Sequence, residues 1–176
     1  MLIEPARAAD LPEITDIYAH HVLHGTASYE TEPPDLAEME SRFAKVTGAG
    51  WPWLVLREEG GAVLGYAYLT QFRDRAAYRY VCENSIYIRH DQRGRGLGRK
   101  LLEALLAEAE RAGFRQMVAM IGGAEPGSIG LHAAAGFVHA GRLQAIGRKQ
   151  GRWLDNVYMQ IALGEGSQSA PPVEPA

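Results

Sequence analysis

Apolar positions in the first fifty residues recur at three- and four-residue spacing. Ile14, Ile17, Tyr18, His21 and Val22 make one stripe behind Asp10-Leu11-Pro12-Glu13, which reads as an N-cap followed by proline in the first turn. A short strand over 2–7 precedes this helix. Leu36, Met39, Phe43 and Val46 make a second stripe that starts at Asp35 and stops at Thr47-Gly48. The period then changes from helical to extended. Residues 53–56 and 62–69 are rich in β-formers and flank Glu59-Gly60-Gly61, a hairpin signal, and a third strand is expected over 82–89. Residues 97–112 carry the strongest helical stripe, with Leu101, Leu102, Leu105, Leu106 and Ala109 ending at Gly113. A buried strand over 116–121, a short helix over 128–135 closed by Gly136, and two strands over 137–146 and 153–163 around Lys149-Gln150-Gly151 complete the pattern.

This order predicts one mixed α/β (α+β) domain over 1–163 with no internal repeat. Pro, Gly, Ser and Glu dominate residues 164–176, which predicts a disordered C-terminal tail. Length and composition agree with a packed globule: 176 residues, 47% hydrophobic and 22% charged, are too apolar for disorder throughout. Net charge is 18 − 21 = −3, which excludes a global polycation and leaves only a local basic site; neither nucleic acid nor membrane is expected as a partner. The single cysteine, Cys82, cannot close an intrachain disulfide, and no Cys/His spacing suits zinc, so no metal is expected. Residues 1–10 lack a cationic start leading into an apolar run, and no stretch is long enough for a membrane span. The expected compartment is the cytoplasm.

The chemistry concentrates between the third strand and the long helix, in Gln92-Arg93-Gly94-Arg95-Gly96-Leu97-Gly98-Arg99-Lys100. Helix starts favour acidic residues because the macrodipole is positive there, whereas this one gathers Arg93, Arg95, Arg99 and Lys100, with no carboxylate between Asp91 and Glu103. Such crowding suits a bound anion, and glycine lets backbone N–H groups approach it closely. A triphosphate cradle would need Gly-Lys-Ser/Thr, but Leu101 follows Arg99-Lys100. A dinucleotide fold would need Gly-x-Gly-x-x-Gly in a first βαβ unit with an acid ending the next strand; the glycines here are Gly94, Gly96 and Gly98, and residues 117–121 hold no acid. A flexible linker with solvated arginines is the bland alternative.

This segment resembles the acetyl-CoA pyrophosphate loop of the GNAT N-acetyltransferase family, Gln/Arg-x-x-Gly-x-Gly/Ala. The resemblance runs from about residue 3 to residue 163 and is nearest the branch that acetylates phosphinothricin and methionine sulfoximine. It is carried further by Tyr29-Glu30-Thr31-Glu32-Pro33, Glu83-Asn84-Ser85-Ile86-Tyr87-Ile88, Ser128-Ile129-Gly130-Leu131-His132 with Gly136-Phe137, and Gly147-Arg148-Lys149 before Trp153-Leu154-Asp155. It implies a GNAT fold: a central, mostly antiparallel twisted sheet of roughly six to seven strands with a splayed central pair, flanked by about four helices. It also implies acetyl-CoA as cosubstrate and a homodimer.

Acetyl transfer to an aliphatic amine needs a base, because that amine is protonated near neutral pH. The resemblance places the base at Glu83, which from spacing alone is equally an outward strand residue. It places a histidine near the reacting centre at His132, which could orient substrate, relay a proton, serve the leaving thiolate or be structural. Ser128 is a positional match for the cofactor arm, although many relatives have Asn where this chain has Glu125. Ile86, Tyr87 and Ile88 are implied to pair with pantetheine, with the N–H near Ile88 polarising the thioester. Gln92, Arg93, Gly94, Arg95, Gly96, Leu97, Gly98 and Arg99 would hold the phosphates. Arg73, Arg75, Tyr78 and Arg79 precede Glu83, and guanidinium forks suit a carboxylate or phosphinate, so with Tyr29, Glu30 and Ser85 they are the candidate acceptor site. A solvated polar loop is the alternative for the arginines. Relatives often differ at Glu30 and Val81. The expected substrate is the primary amine of a small amino acid or analogue; alternatives are a protein N-terminus, lysine or polyamine, and a non-catalytic CoA-binding module.

Overall fold

The computed structural model describes residues 1–174. Its strands are β1 (Leu2–Pro5), β2 (Trp53–Arg57), β3 (Val63–Gln71), β4 (Val81–Ile88), β5 (Gln116–Gly122), β6 (Val138–Lys149) and β7 (Arg152–Ala162). The α-helices are α1 (Leu11–His24), α2 (Leu36–Gly48), α3 (Leu97–Arg111) and α4 (Pro126–Ala134). The seven strands form one sheet in the order β1-β2-β3-β4-β5-β7-β6. Every neighbouring pair is antiparallel except β4 with β5.

Alternation along the central strands divides the core into two. In β2, Trp53 and Val55 join Leu11, Ile14, Tyr18 and Met39 under α1 and α2, while Leu54 and Leu56 join Leu97, Leu101, Leu102 and Leu105 under α3. A strand buried on both faces therefore reads as a continuous apolar run. The α3 stripe is the deepest, with Leu101, Leu102, Leu105 and Ala109 all fully buried, and each leucine is worth about 1.5–3 kcal/mol.

Local differences from the sequence pattern have physical causes. Asp10 sits at the N-cap of α1, but its backbone is helical and it makes no side-chain cap. Its carboxylate instead accepts from the Arg7 N–H at 2.8 Å and from Arg57 at 2.5 Å, tying α1 to β2. Helix α4 starts at Pro126, two residues before the expected Ser128, because the Glu125 carboxylate accepts from the Ser128 N–H at 2.7 Å. Strand β6 runs on to Lys149, and its register shifts between Leu143 and Gly147, where the Ala145 N–H donates to Asp155 at 2.8 Å.

The expected disordered tail is described as far as residue 174. Its residues 164–169 turn beneath β5, where Arg115 donates to Glu165 and Ser169, and the Tyr80 hydroxyl donates to the Val173 carbonyl. Residues 175 and 176, also expected to be disordered, lie outside the described residues. No helix among the described residues is long and apolar enough to cross a membrane.

Candidate active site

β4 and β5 pair only from Val81 to Glu83, against Gln116 to Val118. Above Glu83 the strands part, because β4 stays with β3 as far as Ile88 while β5 follows β7 as far as Gly122. The gap opens into a cleft of about 700 Å³, walled by residues 83–88 and 119–122 and capped by the glycine loop. Arg89 N–H bonds the Leu64 carbonyl at 2.9 Å, so by alternation Ile88 and Ile86 turn their own N–H and C=O groups away from β3, toward the open side. An extended ligand finds there a strand edge without a ladder partner.

The loop before α3 is built for an anion. Gly96, its N-cap, has φ 72°, a left-handed conformation that glycine adopts without strain, and offers no side chain to the first N–H groups of the helix. The first turn contains no acidic residue. By contrast, Asp35 caps α2 and Glu125 caps α4 with their own carboxylates. Gln92, Arg93, Gly94, Gly96, Leu97 and Gly98 line the cleft. The two other arginines do not line it; Arg95 donates to Gln92 and Arg99 to Glu103.

Glu83 stands at the vertex, where the parallel pair ends, and lies on the α1–α2 face of the sheet opposite Val118. Burial raises its carboxyl pKa, and the Arg73 guanidinium partly offsets this. Ser85 lies on the same face and lines the cleft. The neighbouring Cys82 thiol points the other way, into the core, and burial pushes it up to about 12, which suits a packing residue and not a nucleophile.

On the opposite face Asn84 donates to His132 Nε2 at 3.1 Å. His132 Nδ1 lies 2.8 Å from the Ser128 carbonyl, which only accepts, so Nδ1 carries the proton. The ring is buried, and burial lowers its pKa. Both nitrogens are thus engaged by a neutral imidazole that joins α4 to β4, with Ser128 and His132 both at the cleft wall.

The loop between α1 and α2 closes one side of the cleft. The Tyr29 ring passes Gly147 so closely that a Cβ there would lie 2.3 Å from it. Its hydroxyl donates to the Asp155 carbonyl at 3.1 Å and accepts from the Gly123 N–H at 3.2 Å. Tyr29 therefore pins the loop with its polar end and presents only its ring to the cleft. Glu30 lines the cleft and is paired with Arg42 at 2.8 Å, while the buried Lys149 ammonium donates to the Ser28 carbonyl at 2.7 Å. The Ser28 hydroxyl in turn meets the Tyr18 hydroxyl at 2.9 Å.

The structure divides the expected acceptor residues. Arg73, Arg75 and Tyr78 line a separate depression of about 360 Å³. Arg79 lies over the Tyr80 ring and lines neither cavity. Arg73 alone reaches the cleft electrically, through Glu83. The cleft residues not singled out from sequence include His21, Ser28, Asn84, Met120 and Asn156. Strand alternation would have set Asn84 opposite Glu83, whereas His21 was hidden in an apolar helical stripe. Among the described residues no group of three or more His, Cys, Asp or Glu side chains is placed to hold a metal ion.

Residues 3–158 match the profile of the Acetyltransferase (GNAT) domain. The chain belongs to the GNAT acetyltransferase family. A phosphinothricin N-acetyltransferase of Alcaligenes faecalis is 51% identical over 170 residues, covering 96% of this chain and 86% of that protein. An L-methionine sulfoximine/L-methionine sulfone acetyltransferase of Pseudomonas paraeruginosa is 42% identical over 169 residues, covering 96% and 98%. The crystal structure of a GNAT superfamily phosphinothricin acetyltransferase from Sinorhizobium meliloti, in complex with acetyl-CoA, superposes with a TM-score of 0.95 at 50% identity, covering 97% of this chain and 92% of that one. The mixed seven-stranded sheet with its parted central pair and four α-helices is the GNAT fold expected from the sequence.

Proposed function

We propose that this GNAT acetyltransferase moves an acetyl group from acetyl-CoA to the primary amine of a small amino acid or analogue, of the phosphinothricin, methionine sulfoximine or methionine sulfone type, by direct attack in a ternary complex. One observation carries this reading. A single cleft joins an uncapped, cationic helix start to a half-buried carboxylate at the vertex of a parted strand pair. Acetyl-CoA would supply the activated thioester acetyl group. Arg93 and the N–H groups at the start of α3 fit its pyrophosphate, and the open edge of Ile86 to Ile88 fits its pantetheine arm. The Ile88 N–H is the donor for the thioester oxygen, a fixed dipole that needs no reorientation when charge develops there.

Glu83 takes a proton from the acceptor ammonium, directly or through one water. A carboxyl raised by burial is a stronger base than a solvated one. Neutral His132 holds Asn84 and the α4 side of the cleft in place. Glu30 is matched by Arg42, so the acceptor face does not present an unpaired acid to a polycation. Arg73, whose charge acts on Glu83, supplies positive charge for an acceptor's own carboxylate or phosphinate. A homodimer is supported by the exposed apolar residues Val138, Leu143, Ile146 and Trp153 on the β6–β7 hairpin. A cytoplasmic location fits the lone buried thiol.

The test is release of free thiol from acetyl-CoA with the twenty amino acids, phosphinothricin, methionine sulfoximine, methionine sulfone, a polyamine and a lysine peptide. Turnover confined to the small amino acids or analogues supports the reading. Preference for the polyamine or peptide replaces the substrate class, and binding without turnover leaves a CoA-binding module.

A further inference from the structure

We propose that His21 is a positioning residue for acetyl-CoA, a neutral imidazole on α1 that ties the end of β4 to Arg93 of the phosphate loop. The inference rests on the acetyl-CoA reading above. His21 Nε2 lies 2.8 Å from the Ile88 carbonyl oxygen, which only accepts, so Nε2 carries the proton. Nδ1 then holds a lone pair, and it faces Arg93 Nη2 at 3.5 Å, where the guanidinium only donates. The chemistry of the two partners fixes the tautomer. The ring is buried, packs 5.3 Å from Tyr87, and lines the cleft between the strand edge and the loop.

Two consequences follow for the cofactor. The carbonyl of Ile88 is engaged by His21, so the open end of β4 presents the Ile88 N–H without its competing acceptor. Arg93 is held against the cleft, while Arg95 and Arg99, which do not line it, donate to Gln92 and Glu103. Protonation of His21 would remove the Nδ1 lone pair and set a second cation against Arg93. The groups facing the ring are Arg93 from the loop, His20 from its own helix, His90 from the turn after β4 and the Tyr87 phenol from β4. His20 and His90 stack at 4.0 Å. Burial, the largest cause, holds His21 neutral to lower pH than an ordinary histidine, with Arg93, His20 and His90 acting the same way and the Ile88 carbonyl against them.

Isothermal titration of the full chain with acetyl-CoA and with CoA at pH 8 tests this alongside steady-state kinetics. His21→Ala is expected to raise both dissociation constants by about tenfold at pH 8, with the amine KM within about twofold of wild type. His21→Gln keeps a donor for Ile88 and an acceptor for Arg93, and is expected to restore affinity to within about threefold. A glutamine variant as weak as the alanine one overturns the proposal. If the alanine variant does not fold by circular dichroism, the glutamine comparison decides alone. Wild-type protein that binds neither acetyl-CoA nor CoA brings down the cofactor reading and this inference together. Tight wild-type binding left unchanged in both variants removes only the role of His21.

Discussion

Asn84 donates its side-chain N–H to His132 Nε2 at 3.1 Å, which leaves that imidazole without a free lone pair while Nδ1–H is bound to the Ser128 carbonyl. A base must offer a lone pair, so His132 is expected to act by position. The ring is expected to be the Nδ1–H tautomer and to take its second proton only below the ordinary histidine value, because burial lowers its pKa more than the Ser128 carbonyl raises it. Nitrogen-15 NMR of the imidazoles reads both properties. A proton on Nε2, or titration near the ordinary value of 6.5, would return His132 to the candidate bases.

Glu83 is expected to set the acidic limb of the rate profile. Only its carboxylate can take a proton, so kcat/KM for the amine rises with pH through a carboxyl pKa that burial has raised. Glu83→Gln should lower kcat by about 10²–10⁴-fold at pH 7 and remove this limb. Arg73→Ala takes away the charge that partly restrains the shift, so the limb should move to higher pH. Stability should run the other way. With a folded pKa above the unfolded one, Glu83 contributes stability below about 4.5 that is lost as pH rises through the folded value. Glu83→Gln should therefore melt higher than wild type at pH 7 and close to it at pH 4. Parallel rate profiles for wild type and the variant would make Glu83 a bystander.

Much of this was legible in the sequence where period and punctuation are strong. The Leu101, Leu102, Leu105 and Ala109 stripe, the glycine loop and the β-rich run through Cys82 each depend on local pattern, and each was found in place. Residues joined by long-range geometry were not legible. His21 reaches Ile88 across 67 positions, and Tyr29 reaches Asp155 across 126, and no spacing announces either contact. The same limit applies to the arginines. Sequence proximity grouped Arg73, Arg75 and Arg79 with Glu83, but the turn before β4 directs the first two to a neighbouring depression and the third over Tyr80.

The two arginines flanking Gly94 should separate in a binding assay. Arg93 lines the cleft, whereas Arg95 does not and donates to Gln92. Arg93→Ala is expected to raise the acetyl-CoA KM by about tenfold with kcat within about threefold, because a phosphate contact far from the thioester serves ground and transition states alike. Arg95→Ala should change that KM by less than about threefold. Equal losses from both substitutions, or a loss confined to kcat, would contradict this placement of the phosphates.

The acceptor face depends on Gly147 having no side chain. A methyl group there would lie 2.3 Å from the Tyr29 ring, and the ring cannot retreat without leaving the Gly123 N–H and the Asp155 carbonyl. Overpacking of this kind costs about 1–3 kcal/mol. For a chain of 176 residues that amounts to a fall in Tm of about 2–12 °C. Because Tyr29 pins the loop that carries Ser28 and Glu30, Gly147→Ala should raise the amine KM by about tenfold and leave the acetyl-CoA KM within about twofold. Tyr29→Phe keeps the ring in place and loses only the hydroxyl's two hydrogen bonds, so it should lower Tm with a smaller rise in the amine KM. Thermal melts and two-substrate kinetics on both variants distinguish the cases. If Gly147→Ala melts and turns over like wild type, the loop is not held by Tyr29 and the acceptor face must be closed by other contacts.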